Sequence, residues 1–188
     1  MNQLCFSLTF IFLVLFMNFH VNAAADVGLV STACKKAVAE SRSPKVNYGF
    51  CVSSLEADPK SNTYDVFQLG VESYKHVLQK EKSIKSYIKK LLKDGKQSQN
   101  VKVPLAGCSQ DYSDIIEPTE YAIEVFRSGY FDAAYARLDV ILYYVGSCKD
   151  RFDGKITSPL IKEENDFNQL LFISRVITEM AMAALPPP

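Results

Sequence analysis

The sequence predicts an all-α protein: an antiparallel four-helix bundle preceded by an N-terminal helical hairpin and held by two disulfides. Three observations lead there. Apolar residues recur at helical spacing in four separate stretches, and no stretch shows strand alternation. Four cysteines (Cys34, Cys51, Cys108 and Cys148) remain once an N-terminal export segment is set aside. An even cysteine set in an exported chain is most economically read as paired.

The export segment comes first. From Leu4 to Phe19 the chain is almost uninterruptedly apolar, and Ala23, Ala24 and Ala25 follow. An apolar core closing on small residues fits a cleaved secretory signal over residues 1–25, which removes Cys5. Asn18, His20 and Asn22 cut the run short of the ~20 apolar residues a spanning helix needs. No membrane association is expected after cleavage. Residues 26–188 are one domain in length.

Two short helical pieces open that domain, near residues 27–39 and 48–57, around a bend at Ser43-Pro44. The longest period follows over residues 64–94. Phe67, Val71, Tyr74, Leu78, Ile84, Ile88, Leu91 and Leu92 form its stripe, with Lys75, Lys82, Lys85, Lys89 and Lys93 mostly off it. Asn62 or Thr63 is the expected cap and Gly95 the expected stop. After a polar connector at 96–100, a second stretch carries Leu105, Cys108, Tyr112, Ile115, Ile116, Ala122, Val125 and Phe126. Pro118 lies inside it. A proline in a helix interior costs about 3 kcal/mol or kinks the helix, so a bend is expected at Glu117. Ser128-Gly129 turns the chain into a third stretch, from Phe131 through Leu138 and Ile141 to Cys148. The fourth runs from Phe167 to Ala181 and ends before the terminal prolines. Amphipathic helices with short connections favour an antiparallel bundle.

Of the three possible cysteine connectivities, the helical pattern supports one. Gly129 lies almost midway between Cys108 and Cys148, so a hairpin folded there brings both within bridging distance. Cys34 and Cys51 flank the Ser43-Pro44 bend in the same way. Each bridge should contribute roughly 3 to 4 kcal/mol on the chain-entropy model.

Composition argues against catalysis. Lys plus Arg and Asp plus Glu each number 21, all after the signal, which offers no basic stripe for nucleic acid. His76 is the one histidine beyond the signal and reads as a helix-boundary residue. The cysteines lack the close paired spacing of a zinc site, and no Gly-rich phosphate loop is present, so neither metal nor cofactor is expected. The carboxylate pairs Asp111/Asp114, Glu120/Glu124 and Asp150/Asp153 read as solvated surface charges. Tyr112, Tyr121, Tyr130, Tyr135, Tyr143 and Tyr144 crowd the second and third stretches and read mainly as core or boundary packing in a tryptophan-free chain. The expected role is contact with a partner, not turnover.

Several short motifs, in fixed order, resemble those of the plant invertase/pectin methylesterase inhibitor family. They are Cys34-Lys35-Lys36, the run from Asn47 to Leu55, Ala57-Asp58-Pro59-Lys60-Ser61, Cys108-Ser109-Gln110-Asp111-Tyr112, Cys148-Lys149-Asp150-Arg151-Phe152 and Ser158-Pro159-Leu160. Within the family the chain resembles the pollen-type invertase inhibitors, plane-pollen allergens among them. The resemblance implies a secreted, non-enzymatic protein of the cell wall, apoplast or vacuole. Such a protein occludes the active site of a plant invertase or pectin methylesterase without covalent chemistry. A non-inhibitory binding or allergen protein on the same scaffold is the alternative. Invertase-directed members carry a Pro-Lys-Phe segment near the turn before the third bundle helix, where this chain reads Tyr130-Phe131-Asp132. That triplet is the candidate target contact, and its departure leaves pectin methylesterase open as a target. Pro118 also interrupts a helix that reads through in relatives.

Overall fold

The computed structural model describes residues 28–42, 45–152, 154 and 156–186. The segment expected to be a secretory signal, the expected bend at Ser43-Pro44, Asp153 and the last two prolines lie outside the described residues. Among the described residues the regular structure is entirely helical. In chain order the helices are α1 (Leu29–Glu40), α2 (Tyr48–Leu55), a 3-10 turn (Ser61–Thr63), α3 (Val66–Lys93), α4 (Gln99–Asp114), α5 (Ile116–Arg127), α6 (Phe131–Asp150) and α7 (Ile161–Ala183).

Helix α3 forms where the period predicted it, but its cap is Asp65. Asp65 Oδ1 accepts from the Gln68 N–H at 2.7 Å, and Gln68 Oε1 accepts from the Asp65 N–H at 3.1 Å. This reciprocal capping box satisfies two amides that would otherwise be orphaned. Asn62 and Thr63 belong instead to the preceding 3-10 turn. At the other end Lys90 and Lys93 face the negative pole of the helix and Gly95 takes φ +68°.

The predicted second bundle helix is two helices, α4 and α5, separated by Ile115. Helix α4 begins at Gln99, inside the expected connector, and accommodates Pro104. The break comes two residues before the expected Glu117. Proline clashes with the carbonyl four residues back, which for Pro118 is that of Asp114, the last residue of α4. Restarting at Ile116 places Pro118 in the first turn of α5, where its missing N–H has no helical partner to lose. The bent α4–α5 rod, α3, α6 and α7 form the bundle, with α3 against α7, α4 and α5, and α6 against α4, α5 and α7.

Its core contains Tyr74, Ile84, Ile88, Leu105, Tyr112, Ile115, Phe126, Leu138, Ile141 and Phe167, all buried. Each such side chain contributes about 1.5–3 kcal/mol when fully removed from water. A second cluster seats the α1–α2 hairpin on α7, through Val30, Ala33, Ala37 and Leu55 against Ile173, Val176 and Ile177. Asn47 caps α2, its Oδ1 accepting from the Phe50 N–H at 2.9 Å, while its own N–H donates to Gln169 on α7 at 2.8 Å.

Both predicted disulfides are present. Cys34–Cys51 pins the hairpin with Cα atoms 5.7 Å apart, and Cys108–Cys148 joins α4 to α6 at 4.6 Å. All four cysteines are fully buried.

Candidate docking site

The turn between α5 and α6 is built by Gly129. Its φ of +83° is a left-handed conformation that glycine adopts without steric cost. The Gly129 N–H donates to the Phe126 carbonyl at 3.0 Å and the Tyr130 N–H to the Val125 carbonyl at 2.9 Å. This paired closure of a helix C-terminus reverses the chain within three residues and lifts Tyr130 clear of the bundle.

The three residues of the candidate triplet therefore divide. Tyr130 is 67% exposed, and Asp132 is exposed in the first turn of α6, where a carboxylate is favoured by the helix dipole. Phe131 turns inward. Its ring lies edge-on to Phe126 at 4.8 Å between centroids and stacks on Phe67 at 5.5 Å. It holds the hairpin and offers no surface to a partner.

A groove of about 700 Å³ lies along the same two helices, lined by Asp114, Glu117, Pro118, Glu120, Tyr121, Glu124, Arg137 and Tyr144. The Arg137 guanidinium sits 4.9 Å from the Tyr121 ring centroid, which presents that aromatic ring in a fixed orientation. Four carboxylates and an ordered tyrosine give the face an acidic, amphipathic character. The tyrosine cluster thus splits against expectation. Tyr112 is buried in the core, whereas Tyr121, Tyr130 and Tyr143 are 43%, 67% and 73% exposed. Helical period alone assigns a stripe, and these three fall off it.

The carboxylate pairs also divide. Glu120 is a surface charge paired with Lys82 at 3.1 Å, and Asp114 Oδ1 accepts from Gln110 at 2.7 Å. Asp111, expected in solvent, is buried and accepts a fork from Arg151. Asp58 is held below the usual carboxylate range by hydrogen bonds from the Tyr64 hydroxyl at 2.6 Å and the Lys60 N–H. The same contact with Asp58 pushes the Tyr64 phenol up to about 12. His76 is half-buried on α3 beside Ser54, Gln79 and Leu170. Among the described residues no cluster of three or more His, Cys, Asp or Glu side chains is placed to hold a metal. No described helix is long and apolar enough to cross a membrane.

Two buried carboxyls escaped sequence reasoning. Glu81, on α3, is completely buried, and burial pushes its carboxyl up to about 8. Glu164, on α7, is also buried, and desolvation again raises it above the ordinary range. The signal was available for Glu81: it lies three residues before Ile84 and four after Val77, on the apolar stripe.

A profile of the plant invertase/pectin methylesterase inhibitor family matches residues 28–177. The chain belongs to that family. Membership places it among proteinaceous inhibitors and not enzymes, as its sequence predicted. A protein of Platanus acerifolia named "Putative invertase inhibitor" is 38% identical over 180 residues, covering 95% of this chain and 98% of the relative. Its namesake from Platanus orientalis matches at the same identity and coverage. Among solved structures, a mutant form of a pectin methylesterase inhibitor from Arabidopsis superposes with a TM-score of 0.67 at 19% identity. That match covers 86% of this chain and 99% of the other. A second inhibitor structure, from Arabidopsis thaliana, gives 0.57 at 20% identity over 85% and 97%. At these identities the structures establish the shared fold alone.

The family motifs take structural roles in this chain. Asn47 caps α2, Asp58 ties the loop after it, Asp111 and Arg151 pair, and Ser158 Oγ accepts from the Leu160 N–H at 3.1 Å before α7. The residues that mark the family mark its scaffold.

Proposed function

We propose that this protein is a secreted inhibitor of a plant carbohydrate-active enzyme, an acid invertase or a pectin methylesterase. It covers the enzyme's active site through non-covalent contact. The observation that carries this reading is the family match across residues 28–177, nearly the whole helical domain. The disulfide-pinned bundle supports the mechanism, because a surface ordered before contact loses little conformational entropy on association. The docking face is the α5–α6 turn with Tyr130 and Asp132, extended by Tyr121 and the α5 carboxylates. Exposed tyrosines suit such a face, since they bring large contact area with few rotatable bonds. Residues 1–25 act as the secretory signal, and residues 26–188 work in the wall, apoplast or vacuole.

Titration of the purified mature protein against both enzymes tests the proposal. Stoichiometric loss of either activity is expected. Full activity of both enzymes at excess protein would favour a non-inhibitory binding protein on the same scaffold.

A further inference from the structure

Beside the α4–α5 bend, Glu81 meets Thr119 in an arrangement that a proton on Glu81 would complete. Glu81 Oε1 lies 2.5 Å from Thr119 Oγ1, and Thr119 Oγ1 lies 2.9 Å from the carbonyl of Ile115, the bend residue itself. A threonine hydroxyl has a single hydrogen. If it goes to Ile115, the hydrogen in the other contact must come from Glu81. The molecule contains a parallel case: Thr178 Oγ1 reaches the Ser174 carbonyl at 2.7 Å and the Tyr74 hydroxyl at 3.0 Å, where Tyr74 can supply the second hydrogen. In the Glu81 chain only a neutral carboxyl can play the role of Tyr74.

The surroundings agree. Glu81 Oε2 is buried with no hydrogen-bond partner, as is the Tyr112 hydroxyl on α4. The charged neighbours of Glu81 are Lys82 on its own helix and Glu120 on α5, which pair with each other at the surface. Tyr112 shares the field of Glu81 with Asp111 on its own helix and with Glu163 and Glu164 on α7. Asp111 is engaged by Arg151, and Glu163 by Lys80. None of these neighbours on α4, α5 or α7 is a cation. An ionised carboxylate here would be buried with no cation in contact, and desolvation outweighs what the Thr119 hydrogen bond and the Lys82 charge return.

We infer that Glu81 and Thr119 form a proton-gated latch: neutral Glu81 donates through Thr119 to the Ile115 carbonyl and holds α5 against α3, and loss of that proton loosens α5 at the bend. The sign follows from linkage. In the unfolded chain Glu81 ionises near the ordinary glutamate value of 4.5, and burial pushes it up to about 8 in the folded chain. Between those values the native state binds more protons than the unfolded one, so stability falls as pH rises. The stabilisation is full below pH 4.5 and is lost as pH rises to about 8, while the native protein itself keeps the proton, and the latch closed, until pH approaches that folded value. Because α5 carries Tyr121 and leads into the Tyr130 turn, the latch also sets the angle of the docking face, a consequence that rests on the proposed function.

Carbon NMR of the Glu81 carboxyl in the full domain tests the latch directly. A midpoint at least two pH units above the exposed glutamates is expected, and a midpoint among them would overturn it. Backbone amide exchange over residues 116–122, corrected for intrinsic rates, should lose about tenfold or more protection between pH 6 and pH 9. Glu81→Gln keeps a donor toward Thr119 and should abolish that loss, while Glu164→Gln should preserve it. An unchanged pH response in Glu81→Gln would sink the idea, and if that variant does not fold, the wild-type carbon titration decides. Where exchange responds to pH but inhibition does not, the latch stands and the docking face is misplaced.

Discussion

Arg151 grips Asp111 with both arms of its guanidinium, Nε donating to Oδ2 at 2.7 Å and Nη2 to Oδ1 at 2.9 Å. Each residue lies three positions after a cysteine of the Cys108–Cys148 bridge, so the ion pair and the covalent bond fasten the same junction of α4 and α6. A planar fork on a carboxylate is a geometry that lysine cannot reproduce.

Gly107 leaves room for that fork. A Cβ at position 107 would stand 2.7 Å from the Arg151 Cδ, Nε and Nη1 atoms. Gly107→Ala is therefore expected to displace Arg151 and leave the buried Asp111 without its cation, costing about 1–3 kcal/mol. The helix propensity gained from alanine, about 1 kcal/mol, offsets part of that. Urea denaturation of Gly107→Ala, Arg151→Lys and the double variant measures it. Additive losses in the double variant would separate Gly107 from the fork.

The scaffold was legible in the sequence because its determinants are local or periodic. The stripe from Phe67 to Leu92 announced α3, and Gly129 between Cys108 and Cys148 announced both a hairpin and its bridge. What stayed hidden depends on which neighbour arrives from elsewhere. Asp111 looked like any surface carboxylate until α6 brought Arg151 to it, 40 residues away. Phe131 and Tyr130 are consecutive aromatics, and only the turn geometry sends one to the core and the other to solvent. The Pro118 bend was legible, but its place required the carbonyl at Asp114, not the residue adjoining the proline.

Gly70 makes a sharper stability prediction. On α3 it faces the Phe126 ring, and an added Cβ would stand 2.1 to 3.0 Å from three ring atoms. Phe126 in turn contacts Tyr74 and Phe131, so displacing its ring disturbs two further aromatic contacts. Alanine in a helix interior normally gains about 1 kcal/mol over glycine. Here overpacking should reverse the sign, and Gly70→Ala is expected to lose about 1–3 kcal/mol. Thermal unfolding reads it, and an unchanged or raised midpoint would refute the close packing.

The two bridges should differ in what they protect. Cys108–Cys148 closes the longer loop and joins two bundle helices, so Cys108→Ala with Cys148→Ala is expected to cost roughly 4 kcal/mol. Cys34–Cys51 spans 17 residues and pins only the hairpin, where loss of roughly 3 kcal/mol should appear as hydrogen exchange in α1 and α2 while the bundle stays protected. Exchange mapping of the two double variants distinguishes them. Uniform loss of protection after removing Cys34–Cys51 would show that hairpin and bundle unfold as one unit.

The division within the Tyr130-Phe131-Asp132 triplet gives the clearest separation of contact from packing. Tyr130 and Asp132 project from the turn, and their side chains are not part of the core. Tyr130→Ala and Asp132→Ala should therefore leave the unfolding midpoint within error, since surface substitutions away from buried partners rarely exceed about 0.5 kcal/mol. If the turn meets the target enzyme, Tyr130→Ala should weaken inhibition about tenfold, the scale of an interface hot spot. Phe131→Ala is the counterpart. It removes the ring packed between Phe126 and Phe67 and should cost about 3–5 kcal/mol of stability. Any loss of inhibition in Phe131→Ala should then follow from unfolding and recover at lower temperature. Inhibition curves of Tyr130→Ala and Asp132→Ala that overlay the parent's would move the contact off the turn and onto the Tyr121 groove.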